Sequence, residues 1–133
     1  MKRFLILFFI IISIFTSGFK YGILLNTVPF TRETAATYTR ILKPNERIYW
    51  LFISKRPMKK IQFIKVQVFQ VNDRGPWNTV TGIVYTHDYR LNIDSPYFYT
   101  DYFVLQRTGH FYMEVFDKNK LLKPLAVIDF YVK

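Results

Sequence analysis

With 133 residues, no cysteine and a formal charge of +10, the chain has room for one domain and excludes a disulfide frame, a thiolate metal site and a cysteine nucleophile. The positive balance attracts polyanions such as anionic headgroups, acidic cell-wall polymers or nucleic acid. Ten tyrosines and fourteen phenylalanines exceed what one small core consumes.

Residues 1–18 read as a signal peptide. Lys2 and Arg3 open it, Phe4 to Phe15 is apolar apart from Ser13, and Thr16, Ser17 and Gly18 supply small residues for cleavage. The run is short of the about 20 residues that a spanning helix needs. Phe19, Tyr21 and Ile23 to Leu25 continue it beyond Lys20, so an uncleaved anchor over residues 4–25 is the alternative. Both readings give an exported chain, periplasmic or at the cell surface, or held at the inner membrane. The lack of cysteines and of an Asn-x-Ser/Thr acceptor points to a bacterial envelope, and export sets nucleic acid aside as a partner.

Residues 19–33 are expected to be a lead-in broken at Pro29, with the β domain spanning 34–133. Threonines and Tyr38 favour a strand over 35–42, and Lys43 to Glu46 forms a turn around Pro44. Arg47 to Ser54 is almost wholly apolar, as a central strand covered on both faces would be, with Trp50 as its anchor. A basic loop over 55–60 follows. From Ile61 to Val71, Ile64, Val66 and Val68 share one face against Lys65 and Gln67. Turn compositions at 72–76 and 94–96 bracket one or two strands over 79–92, where Gly82 suits a bulge.

Three aromatic runs over 97–132 read as an antiparallel meander. Phe111, Met113 and Val115 share a face with Ile128 and Phe130, while His110, Tyr112, Glu114 and Phe116 point the other way. The strand count is about seven or eight, as in an all-β sandwich. Around the penultimate run, Leu105, Gly109, Phe111 and Met113 stand where immunoglobulin-like domains carry Leu, Gly, Tyr and Cys, with Arg107 in place of their Asp. The chain thus resembles an immunoglobulin-like antiparallel sandwich, a resemblance that implies a fold and names no activity.

No catalytic constellation stands out, so an enzyme is not expected, and neither is a cofactor or a metal. No Gly-x-Ser-x-Gly elbow or phosphate loop occurs, the acidic residues are scattered, and His87, Asp88 and His110 lack metal-ligand spacing. Two candidate surfaces remain. Lys55, Arg56, Lys59 and Lys60 form a patch for an anionic partner, and Tyr85, Tyr89, Tyr97, Tyr99 and Tyr102 form an aromatic one. The function expected is a non-catalytic binding or assembly module of the envelope, its partner an envelope protein or acidic polymer. The alternative is a membrane-anchored accessory subunit whose β domain docks on a partner protein.

Overall fold

The computed structural model describes residues 20–133 apart from 32, 35, 59, 60, 73–78 and 92–96, with the backbone alone at 79–81. The leader and the turns at 73–76 and 94–96 lie outside those residues.

Among the described residues eight strands form two sheets. One sheet holds β1 (Tyr21–Asn26), β3 (Arg47–Ser54) and β6 (Phe98–Val104), in the order β1-β3-β6. The other holds β2 (Ile41–Leu42), β8 (Ala126–Val132), β7 (Gly109–Asp117), β4 (Phe63–Asn72) and β5 (Thr79–Arg90), in that order. All pairings are antiparallel except β2 with β8. The expected all-β, immunoglobulin-like sandwich is what forms. β1-β3-β6 over β8-β7-β4 matches strands A-B-E over G-F-C of that fold, and β5 takes the added position beside C.

Period-two alternation explains the core. Ile48, Trp50 and Phe52 of β3 meet Ile64, Val66 and Val68 of β4, Phe111, Met113 and Val115 of β7, and Phe130 and Val132 of β8. Phe111 lies opposite Phe130 and Met113 opposite Ile128, in the register the sequence implied. β3 is buried over most of its length, again as expected.

Three expectations change. The runs over 97–132 are not one meander: β6 pairs with β3, and the chain crosses to the other sheet before β7. Alternation says which residues share a face, not which sheet receives the strand. The lead-in over 19–33 contains β1, whose Ile23 and Leu25 enter the core, so a helix running to residue 25 does not form. The strand over 35–42 shrinks to Ile41–Leu42. The threonine hydroxyls that suggested it bond locally instead: Thr37 Oγ1 donates to Thr34 O at 2.8 Å, and the Thr31 amide donates to Thr34 Oγ1 at 2.8 Å.

Gly82 sits where the β4–β5 register shifts on both sides of it, which bears out the bulge. Gly109, at φ 139°, opens β7 so close to β4 that an added Cβ would lie 2.7 Å from Gln70 Nε2.

Candidate binding surfaces

β5 and β6 are edge strands of opposite sheets, and tyrosines close the side between them. Tyr85 of β5 stacks on Phe103 of β6 at 5.2 Å, and Tyr89 meets Tyr99 at 5.4 Å. Behind them Trp50 lies 5.2 Å from Tyr89 and 5.6 Å from Tyr99. The Tyr85 and Tyr89 hydroxyls hydrogen-bond to each other. Burial pushes the Tyr89 hydroxyl far above the tyrosine range, with help from that hydrogen bond and the Asp101 carboxylate. Burial raises Tyr85 and Tyr99 too. Trp50 Nε1 is buried without an acceptor among the described residues.

The five tyrosines therefore do not make one surface. Tyr85, Tyr89 and Tyr99 form a seam packed on the core, with Tyr89 only 7% exposed. Tyr97 and Tyr102 are exposed, and Tyr102 lies on the outer face of the three-stranded sheet beside Tyr49, with the Arg47 guanidinium 4.4 Å above its ring. Inward-facing aromatics on an edge strand read like outward-facing ones in sequence, because both alternate with Thr and Asp.

The basic patch is partly visible. Lys55 and Arg56 are exposed just past β3, while Lys59 and Lys60 lie outside the described residues. His87 and His110 are not brought together. His87 sits opposite Val66 beside Tyr85 and Tyr89, whereas His110 lies opposite Val71, with β4 between them. Asp88 pairs with Lys118 at 3.1 Å. Among the described residues no group of three His, Asp or Glu side chains could hold a metal ion.

A surface that the sequence did not single out lies on the outer face of the five-stranded sheet. Register puts Ile41, Tyr131, His110 and Val71 in one row across it, and Asp129, Tyr112, Phe69 and Ile83 in the next. His110 stacks on Tyr131 at 4.4 Å and 8°, and Phe69 on Tyr112 at 5.7 Å. Asp129 joins the rows to the rim: one oxygen meets His110 Nε2 at 3.0 Å, and the other pairs with the Arg40 guanidinium. Arg40 Nε also donates to the Asp129 carbonyl at 2.9 Å, pinning the chain before β2 against β8. Burial raises the Glu114 carboxyl on the same face. Arg40 and Asp129 are 89 residues apart, so no sequence spacing announces the pair. The outward parity of His110, Tyr112 and Glu114 on β7, and of Val127, Asp129 and Tyr131 on β8, was legible; the pairing that joins them to Arg40 was not.

No family model matches the chain, and neither does a curated protein. Solved structures do. The soluble domain of PmoD from Methylocystis sp. ATCC 49242 (Rockwell) superposes with a TM-score of 0.51 at 11% identity, over 85% of this chain and 90% of that one. A superoxide reductase (neelaredoxin) from Ignicoccus hospitalis gives a TM-score of 0.43 at 12% identity, over 90% of this chain and 84% of that one. At such identities the likeness to the PmoD domain is one of fold.

Proposed function

We propose that this chain is an exported, non-catalytic binding or assembly module of the bacterial cell envelope, and that it engages a protein partner through the outer face of its five-stranded sheet. The observation that carries this reading is the apolar character of that face. Ile41, Ile83, Val127 and Tyr131 are 57, 59, 48 and 37% exposed, and Tyr112 and Phe69 stand between them. The open face of an antiparallel sheet is ordinarily polar, and contiguous exposed apolar surface favours a partner. Tyrosines rimmed by Arg40 have the composition of an interface centre. The charged start and apolar run of residues 1–18 support export. If the leader is instead kept as an anchor, that anchor has to end before Tyr21, where β1 begins.

The test places a photo-crosslinking residue at Ile83, at Tyr131 or, as a control, at the exposed loop residue Gln106, in the full chain expressed in a bacterium. The expected result is one shared adduct from Ile83 and Tyr131, absent at Gln106 and lost when Ile41 and Val127 become Asp. No adduct, or the same adduct from Gln106, refutes the assigned face.

A further inference from the structure

The two faces of the three-stranded sheet should differ. Inward go Ile48, Trp50 and Phe52, which belong to the core. By alternation Tyr49, Leu51 and Ile53 point outward, beside Leu24 of β1 and Thr100 and Phe98 of β6. Such a face meeting water would alternate to polar residues. Here Leu24, Leu51 and Ile53 are only 6, 1 and 0% exposed, although none of them belongs to the cluster between the sheets.

In-sheet neighbours do not account for that burial. Ile53 stands between Gly22, which has no side chain to offer, and Phe98, while Leu51 stands between Leu24 and the exposed Thr100. The described segment after β1 is tied at the far end of the sheet, where Asn26 Nδ2 donates to Thr34 O at 3.1 Å and to Thr37 Oγ1 at 3.2 Å.

We propose that this outer face is the docking site of the chain's own N-terminal apolar segment, residues 4–15. β1 begins at Tyr21 opposite Ser54, so the preceding chain arrives at the sheet next to Ile53. Residues 16–20 supply a tether long enough to turn back over the face. Twelve residues reach about 18 Å even at the 1.5 Å rise of a helix, while Ile53 and Leu51 are only about 7 Å apart along their strand. The chemistry matches as well. Phe4 to Phe15 carries no charge, and neither does the surface formed by Leu24, Leu51, Ile53 and Phe98. Removing the segment would uncover those residues, so processing of the leader and exposure of this face are one event. This inference does not rest on the function proposed above.

Because the chain has no cysteine, an introduced pair is unambiguous. The full chain, made by cell-free synthesis so that the leader is kept, carries Ile11→Cys with either Leu51→Cys or, as a control on the other sheet, Thr86→Cys. Mild oxidation should close an intramolecular disulfide in the first variant and not in the second. Since Leu51→Cys alters a buried residue, Thr100→Cys, exposed on the same face, repeats the test and should also cross-link to Ile11→Cys. Separately, Leu51→Cys alone should react with a water-soluble maleimide at least about tenfold faster once the chain is cut at an inserted protease site after Gly18, because burial otherwise limits access to local opening. Four outcomes overturn the proposal: equal cross-linking to Thr86→Cys, no cross-link to either β3 or β6, disulfides only between chains, or labelling unchanged by the cut. The third would assign the face to a second copy of the chain.

Discussion

Phe111 and Tyr112 are neighbours on β7, yet truncating them should have very different costs. Phe111 is fully buried and stacks on Phe130 at 5.7 Å and 21°, between β4 and β8. Phe111→Ala should cost about 3–5 kcal/mol, the range for a buried phenylalanine that leaves a cavity. Tyr112 is half-buried on the outer face, where it stacks on Phe69. Tyr112→Ala loses that pair, worth about 0.5–1.5 kcal/mol, and part of its area burial, for a total of about 1–2 kcal/mol. A domain of this size is stable by only about 5–15 kcal/mol, so the first variant approaches the folding limit and the second does not. Urea melts of both variants provide the comparison. With an m-value of about 1–3 kcal/mol/M, a difference of about 2 kcal/mol separates the midpoints by roughly 1 M. If Tyr112→Ala is the more damaging, the strand is in the wrong register, because a slip of one residue exchanges its inward and outward sets.

Gly109→Ala should lower stability by about 1–2 kcal/mol in a thermal melt, because φ is positive there and the new Cβ meets Gln70 Nε2; Gln70→Ala in the same chain should recover only part of it. The tyrosine seam should make the protein alkali-sensitive. With Tyr85, Tyr89 and Tyr99 raised in the folded state, the unfolded chain loses their protons at lower pH than the folded one, so stability is full below about pH 10 and falls above it. Tyr89→Phe should flatten the decline in denaturant melts between pH 9 and 11, and an unchanged slope would place the effect elsewhere. Changing Lys55, Arg56, Lys59 and Lys60 together to Gln should abolish any binding to anionic vesicles or acidic polymer without moving the melting temperature. That binding should also fade with salt, as exposed charges are screened over about 8 Å at physiological ionic strength. Binding that is insensitive to salt, or retained by the Gln variant, removes the patch from consideration.

The sequence by itself determined the strands that alternate strongly and the sides they show. The parities of β4, β7 and β8, the burial of β3 around Trp50 and the bulge at Gly82 all come from side-chain period and backbone freedom, which are local properties. Tertiary structure decided what locality cannot encode. β1 reads as part of a lead-in or, in the anchor alternative, as a continuation of the leader, because an apolar run reads the same whether it finds a membrane or β3. β6 looked like the first strand of a meander, because alternation is silent about which sheet accepts a strand. Tyr85, Tyr89 and Tyr99 looked like a surface, and became a seam only because β5 and β6 end up on the same side of the sandwich. The meeting of Arg40, His110 and Asp129 depends on β2 and β7 flanking β8. Hydrogen-bonded pairing between strands brings such residues within a few ångströms, and their separation along the chain leaves no periodic trace.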